Sequence, residues 1–85
     1  MIKIKVVELF AGVGGFRLGF ERIKSKKVKF EIIWSNQWEP STKTQHASEI
    51  YINVFGKKSH SCEDIQIIVQ DKFKEIPKHD LLVGG

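Results

Sequence analysis

The spacing of apolar residues divides the chain into short segments with either strand or helix character. Residues 3–10 and residues 30–35 are rich in β-branched and aromatic side chains, which predicts two strands. Between them, Phe16, Phe20 and Ile23 recur at helical spacing. We therefore expect a helix over residues 16–23 that turns these three side chains toward the sheet.

A second helix is predicted after Pro40, which interrupts the pattern. Ser41 or Thr42 can cap this helix at its start, and Gly56 would end it after Phe55. One apolar face of the predicted helix is formed by Ala47, Ile50, Tyr51 and Val54.

The last third of the chain is less regular. Residues 59–64 predict a short, weak strand or a loop, and residues 65–74 fit either a strand or a short helix that Pro77 ends. Residues 80–83 predict a compact buried strand. Because alternating strands and helices are typical of a parallel sheet with helices on both faces, the predicted fold class is α/β. Ligands of such sheets bind beyond the carboxyl ends of the strands.

The length and composition restrict the fold and the location. With 85 residues, the chain forms at most one small domain with a marginal core. It contains no apolar run near the roughly 20 residues that cross a membrane. The first five residues alternate apolar and charged positions, unlike a signal peptide or a transit segment. We therefore expect a cytoplasmic protein without a membrane partner.

The net charge of +4 permits an anionic partner but does not require one. Residues 24–29 include four lysines, and Lys57 and Lys58 add two more. Phosphate contact is one interpretation of these lysines. We favour a solvated linker, because no aromatic residues interleave with them as a stacking platform would require.

Neither the single cysteine nor the histidines predict a reactive site or a metal site. Cys62 lies beside Glu63, and an adjacent acid works against the thiolate form that a nucleophile needs. We therefore interpret Cys62 as a structural thiol. His46, His60 and His79 lack the spacing of metal ligands, with each other or with Cys62, so no metal is expected.

Three glycines, Gly12, Gly14 and Gly15, follow the first predicted strand. Glycine adopts a positive φ at little cost and lets a ligand approach the backbone. The helix that follows offers unpaired N–H groups to an anion. Because Arg17 stands where the dinucleotide pattern G-x-G-x-x-G has its third glycine, a pyrophosphate ligand is disfavoured. We expect a ligand-binding turn, and a tight turn without any ligand is the alternative.

A longer pattern extends over residues 8–21, which read ELFAGVGGFRLGFE. This segment resembles, nearly residue for residue, the first signature motif of the DNA cytosine-5 methyltransferases. The resemblance implies a Rossmann-like methyltransferase fold and S-adenosylmethionine (SAM) as the cofactor. The turn that would hold SAM consists of Phe10, Ala11, Gly12, Val13, Gly14 and Gly15. The resemblance further implies that Phe10 packs against the adenine ring.

Two further strand ends resemble the same family. After its second strand, the family has an acid that holds the ribose and then a tryptophan that lies on the adenine, and here Gln37 and Trp38 stand at these positions. Glutamine lacks the charge, so its bond to the ribose should be weaker, and Glu39 is a possible substitute. After the third strand, the resemblance implies that Asp64 accepts a hydrogen bond from the adenine amino group and that Ile65 packs on the ring. A helix N-cap is the alternative role of Asp64.

The last residues, 79–85, resemble the family's fourth strand, whose glycine pair leads into a Phe-Pro-Cys-Gln loop. The catalytic cysteine is therefore expected just after Gly85, and we expect no catalytic residue within residues 1–85. Cys62 precedes the fourth strand and cannot replace that cysteine. The resemblance implies that residues 1–85 are the N-terminal portion of the SAM-binding catalytic domain, without the target recognition domain. Alone, this portion should be inactive and should need the rest of the enzyme or a complementary chain to fold stably.

The function that the resemblance implies belongs to the whole enzyme. It is methyl transfer from SAM to C5 of cytosine in double-stranded DNA, in a bacterial restriction–modification or phage setting, with DNA bound through the remainder of the enzyme. One alternative is a nucleotide-binding Rossmann-type module for another reaction, although Arg17 argues against a dehydrogenase. Another alternative is a non-catalytic relative that binds the cofactor or scaffolds a complex.

Overall fold

The computed structural model of the protein describes residues 1–84, so Gly85 of the predicted glycine pair lies outside the described residues. Its centre is a sheet of four parallel strands in the order β3-β2-β1-β4. The strands are β1 (Ile2–Leu9), β2 (Val28–Asn36), β3 (His60–Ser61) and β4 (Leu81–Gly84). The helices are α1 (Gly15–Glu21), α2 (His46–Phe55) and α3 (Ile65–Asp71), followed by a 3₁₀ turn at Phe73–Glu75. The predicted α/β fold with a parallel sheet is confirmed.

The strand order reverses beside β1. From β1 the chain moves outward through β2 to β3, and it then returns to place β4 on the other side of β1. The three helices lie in the connections between successive strands. In open parallel sheets, ligands bind at the carboxyl ends of the strands next to such a reversal. The carboxyl end of β1 is therefore the expected position of a site.

One irregularity in the sheet decides which side chains share a face. The register between β1 and β2 shifts after Val6, so that Val7 pairs with Trp34 and Glu8 pairs with Ser35. Paired residues of neighbouring strands project from the same face of a sheet. Val7 and Trp34 therefore share one face, whereas Glu8 and Ser35 share the other.

The first of these two sides carries the apolar core. Val7, Trp34 and Ile68 are buried together, which places α3 over this side of the sheet. Around them pack Leu9, Ile33, Ile65 and Ile76. We call the side defined by Val7, Trp34 and Ile68 the apolar face.

The opposite side carries buried polar residues beneath α2. Glu8 and Ser35 of the strands, together with Ser48 and Tyr51 of α2, are at most 2% exposed. His60 of β3 pairs with Ser35, and its ring stacks on Tyr51 with the ring centroids 4.4 Å apart. We call the side defined by these five residues the polar face.

The start of α2 differs from its prediction. The helix begins at His46 rather than after Ser41 or Thr42. The side chain of Gln45 accepts a hydrogen bond from the backbone N–H of Glu39 and donates one to the carbonyl of Glu39. These two bonds fold residues 39–45 into a loop, so the helix can begin only after them.

The buried side of α2 also differs from its prediction. Tyr51 is fully buried as expected, but Ile50 and Val54 are exposed. The other buried residue of α2 is Ser48, because the helix lies over strand residues that are themselves polar. Gly56 ends the helix with a φ of +92°, as its position predicted.

The packing of α1 confirms one of its three expected contacts. Phe20 packs on Phe30 of β2 with the ring centroids 4.9 Å apart. Phe16 and Ile23 are exposed, so the prediction that both face the sheet is wrong. The helix ends at Glu21, before Ile23 is reached. Phe16 lies in the first turn of the helix, where it lines an open groove.

The two segments whose sequence fitted more than one structure, residues 59–64 and residues 65–74, have a definite structure in the protein. Within residues 59–64 the weak strand is β3, only two residues long, and residues 65–71 are helical rather than extended. Asp64 accepts a hydrogen bond from the backbone N–H of Gln66 and so caps α3, which favours the helix. Within residues 1–84, none of the helices has the length and apolar character needed to cross a membrane.

Candidate functional site

The turn between β1 and α1 contains three residues with a left-handed backbone. Gly12 has a φ of +59°, Gly14 a φ of +95° and Phe10 a φ of +51°. Glycine adopts such angles at little cost, whereas a phenylalanine there is strained. This backbone holds the side chain of Phe10, which is 57% exposed, at the carboxyl end of β1.

The glycines of the turn have different surroundings. A Cβ atom at Gly12 or Gly15 would meet no other atom within 4 Å. A Cβ atom at Gly14 would instead collide with the ring of Phe55 on α2. Gly14 therefore closes the turn against α2, while Gly12 and Gly15 leave its other side open to a ligand.

An open groove runs along the turn and α1. It has a volume of about 650 Å³, which is within the usual range of small-molecule sites. Its walls are formed by Phe10, Ala11, Gly12, Gly15, Phe16, Gly19, Phe20 and Ile23. The groove therefore offers apolar side chains and open backbone rather than charged groups.

Hydrogen bonds join the ends of the first three strands. The N–H of Ala11 donates to the carbonyl of Asn36 over 3.1 Å, and the N–H of Gln37 donates to the carbonyl of Ser61 over 3.0 Å. The side-chain oxygen Oε1 of Gln37 accepts a hydrogen bond from the N–H of Gly12 over 2.7 Å. The glycine turn is thus fixed to β2, and β2 is fixed to β3.

Asn36 reinforces the same edge, although the sequence analysis did not identify it. It is 4% exposed, its Nδ2 donates to the carbonyl of Glu63 over 3.0 Å, and its Oδ1 accepts from the N–H of Glu63 over 3.4 Å. The signal in the sequence that could have identified Asn36 was an amide side chain directly before Gln37, at the end of a strand. These two hydrogen bonds position the segment that leads into Asp64.

Asp64 and Ile65 already have structural partners. Oδ1 of Asp64 accepts from the N–H of Gln66 over 2.9 Å, so the alternative role as a helix N-cap is present. Ile65 is half-buried and packs against the apolar core. Any contact that these residues make with a ligand would add to these roles.

Comparison with known proteins identifies the family. The family model described as C-5 cytosine-specific DNA methylase matches residues 4–85. The chain belongs to this family. Type II methyltransferase M.Sau3AI from Staphylococcus aureus is 51% identical over 85 residues, which is 100% of this chain and 20% of the relative. Type II methyltransferase M.HhaI from Haemophilus parahaemolyticus is 35% identical over 82 residues, 96% of this chain and 20% of the relative.

The methylase chain is much shorter than these proteins. It spans about a fifth of the length of the curated relatives that it matches. No solved structure gives a significant match.

The structure brings together only some of the predicted site residues of this methylase chain. The turn at residues 10–15 and Gln37 are in direct contact. Trp38 is half-buried at the end of β2, but neither Trp38 nor Asp64 lines the groove beside the turn. Gln37 and Ile65 do not line the groove either. The roles of all the predicted site residues toward a cofactor, including those of the turn, remain predictions.

A buried acid lies directly before the methylase turn. The Tyr51 hydroxyl donates to Oε1 of Glu8 over 2.9 Å and accepts from Nη1 of Arg17 over 3.2 Å. Within residues 1–84, Oε2 of Glu8 has no hydrogen-bond partner. Burial raises the pKa of Glu8, and the Tyr51 hydroxyl, the nearby backbone N–H of Arg17 and the Arg17 charge offset this rise only in part. The cluster connects β1, α1 and α2 behind the turn.

His60 extends this cluster toward β3. Its Nδ1 lies 2.8 Å from the Ser35 hydroxyl, and its Nε2 lies 2.7 Å from the Ser48 hydroxyl. Burial lowers the pKa of His60, and the positive charge of Arg17 lowers it further. A neutral imidazole can donate to one serine and accept from the other. His60 therefore has a structural role in the methylase chain.

Cys62 is a free cysteine with an exposed side chain, and its interpretation as a structural thiol stays a prediction. It directly follows β3, whose residues His60 and Ser61 are half-buried. Among the residues that the structure describes, no group of three or more His, Cys, Asp or Glu side chains could hold a metal ion.

Proposed function

We propose that this chain is the SAM-binding segment of an enzyme that transfers a methyl group to C5 of cytosine in double-stranded DNA. The setting that we propose is a bacterial restriction–modification system, in the cytoplasm. Membership of the C-5 cytosine-specific DNA methylase family supports this function, as does the similarity to type II methyltransferases.

The observation that carries the proposal is the open side of the glycine turn. Gly12 has a left-handed backbone and free space where a side chain would be, and the neighbouring Phe10 is held exposed in a strained conformation. Strained residues persist where the surrounding structure enforces them, and they cluster at ligand sites. The turn therefore fits a ligand with an anionic group near the backbone and a flat ring near Phe10.

SAM has such groups, and when bound it would supply the methyl group for transfer. We propose that the turn at residues 10–15 binds its methionine part through backbone N–H groups other than those of Ala11, Gly12 and Gly14, which already have partners. We also propose that Phe10 and Trp38 pack on its adenine. Gln37 would donate to the ribose through Nε2, while its oxygen accepts from Gly12. Asp64 and Ile65 would contact the adenine edge and ring from the end of β3.

The remaining parts of the reaction are assigned to the rest of the enzyme. We propose that residues 1–85 are the N-terminal portion of the catalytic domain, and that the cysteine nucleophile and the DNA recognition domain follow them. Residues 1–85 would then supply the cofactor site of the enzyme but not its nucleophile. We also propose that the rest of the enzyme, or a complementary chain, covers the apolar surface that β4 leaves exposed at Leu82.

The cofactor site can be tested by calorimetric titration of the full chain with S-adenosylhomocysteine, the demethylated form of the cofactor. Trp38→Ala should weaken binding by roughly 1–3 kcal/mol if the indole stacks on adenine, as bases do on aromatic side chains. Phe73→Ala is the matched control, because Phe73 is an exposed aromatic residue outside the proposed site.

Two results would contradict the proposal. Binding of NAD without binding of S-adenosylhomocysteine would indicate a different nucleotide-binding module. Equal affinity of the folded Trp38→Ala variant and the wild type would remove Trp38 from the site.

A further inference from the structure

Gln37 and Gly12 form the only side-chain hydrogen bond to the glycine turn within residues 1–84. The N–H of Gly12 donates to Oε1 of Gln37 over 2.7 Å, across 25 positions of the sequence. A backbone N–H can only donate, so the oxygen of the amide, not its nitrogen, faces Gly12. The orientation of the Gln37 side chain is thereby determined.

This bond restrains a residue that lies between two others whose N–H groups are fixed by backbone carbonyls. The Ala11 N–H is fixed by the carbonyl of Asn36, and the Gly14 N–H is fixed by the carbonyl of Ala11. Gly12 lies between them with a φ of +59° and no neighbour at its Cβ position. Glycine loses more conformational freedom on ordering than other residues, so an external bond has most effect there.

We propose that Gln37 is a positioning residue that holds the glycine turn in the form that receives the cofactor. Its oxygen already accepts from Gly12, so the hydrogen bonds that the side chain offers to a bound sugar come mainly from the two N–H groups of Nε2. Gln37 therefore contributes to affinity mainly by ordering Gly12 before the ligand arrives. This inference rests on the proposed function for its ligand, but the bond to Gly12 can be tested without any ligand.

The test uses three variants of the full chain. Gln37→Met removes the acceptor at similar size, and Gln37→Glu keeps an acceptor oxygen at the same place. Gln70→Met is the matched control, because Gln70 is exposed on α3 away from the turn. Circular dichroism establishes that each variant is folded.

The first measurement is hydrogen–deuterium exchange resolved to single amides, without ligand. In Gln37→Met the Gly12 amide should exchange roughly 3- to 10-fold faster, the range expected for loss of one hydrogen bond. The Ala11 amide should keep its wild-type rate in the same variant, because its partner is the backbone of Asn36. Gln37→Glu and Gln70→Met should both keep the wild-type protection of Gly12.

The second measurement is the affinity for S-adenosylhomocysteine by calorimetry. Gln37→Met should bind roughly 3- to 10-fold more weakly, in parallel with the exchange of Gly12, and Gln37→Glu should restore binding. Rescue of affinity by Gln37→Glu supports the inference only together with restored protection of the Gly12 amide, because a carboxylate at this position also accepts hydrogen bonds from ribose hydroxyls.

Three outcomes would overturn the inference. They are unchanged exchange of Gly12 in folded Gln37→Met, equal acceleration of Ala11 and Gly12, and wild-type affinity of Gln37→Met despite a faster Gly12 amide. Absence of S-adenosylhomocysteine binding in the wild type would contradict the proposed function instead. The exchange of Gly12 would then still decide whether Gln37 orders the turn.

Discussion

The two faces of the sheet are buried by different physical means. On the apolar face, Val7, Trp34 and Ile68 exclude water by packing, which is non-directional. On the polar face, burial of Glu8 and His60 is opposed by desolvation, and hydrogen bonds with neighbouring hydroxyls offset that cost. The apolar face therefore supplies stability, whereas the polar face constrains geometry.

The position of the glycine turn explains why this difference matters. The turn begins two residues after Glu8, whose carboxylate is bonded to Tyr51 of α2, and Tyr51 is bonded to Arg17 of α1. Directional bonds fix distances and angles that apolar packing leaves adjustable. The polar face thus positions the two helices that border the turn. Substitutions on the apolar face should therefore act by removing packing, whereas substitutions on the polar face should act by removing hydrogen bonds.

The largest expected effect is on the apolar face. Ile68→Ala removes a fully buried side chain from the core cluster and should lower the free energy of unfolding by about 2–5 kcal/mol. Urea titration of the full chain measures this loss. Ile67→Ala is the control, because Ile67 precedes Ile68 on α3 but is exposed, and surface substitutions usually change stability by about 0.5 kcal/mol or less. Equal losses in the two variants would show that Ile68 does not belong to the core.

A smaller effect is expected on the polar face. Tyr51→Phe removes one hydroxyl and leaves both carboxylate oxygens of Glu8 without a partner, which should cost about 1–3 kcal/mol. Replacing Glu8 by methionine in the same variant should recover part of this loss, since two apolar partners need no hydrogen bond. Chemical denaturation of both variants and of Glu8→Met alone completes the double-mutant cycle. A double variant less stable than Tyr51→Phe would argue against the hydrogen bond as the cause.

The comparison of the faces also indicates what the sequence could predict. Alternating strand and helix patterns predicted the parallel α/β sheet, and the glycine motif predicted the turn at its carboxyl edge. Both follow from local patterns. The same patterns predicted Ile50 and Val54 on the buried side of α2, and both are exposed. The register shift between β1 and β2 places Glu8 beside Ser35 under α2, and that long-range pairing leaves no periodic trace.

In the candidate site, too, some features were predictable from local sequence and others were not. The turn residues were predicted from their own sequence, and their left-handed angles are present at Gly12 and Gly14. The bond of Gln37 to Gly12 and the pairing of Asn36 with Glu63 each join residues at least 25 positions apart. Only the packing of neighbouring strand ends makes them adjacent, so no local pattern predicts them.

The smallest expected effect is a pH dependence that belongs to the polar face alone. The pKa of folded His60 lies below its ordinary 6.5, so below that pH the unfolded chain binds more protons and stability falls as pH falls. The pKa of folded Glu8 lies above its ordinary 4.5, so from that pH upward stability falls as pH rises. A single proton gives at most about 1.4 kcal/mol per pH unit.

Substitutions should separate these opposite slopes. His60→Gln should abolish the loss of stability below pH 6.5, and Glu8→Gln should abolish the loss above pH 4.5. Urea titrations at half-unit steps from pH 4 to pH 8 measure both, with His46→Gln as the control for removing an exposed imidazole. Ile68→Ala should lower stability equally at every pH, because the apolar face contains no titrating group among its core residues. If His60→Gln keeps the loss of stability below pH 6.5, protonation of His60 is not the cause of that loss.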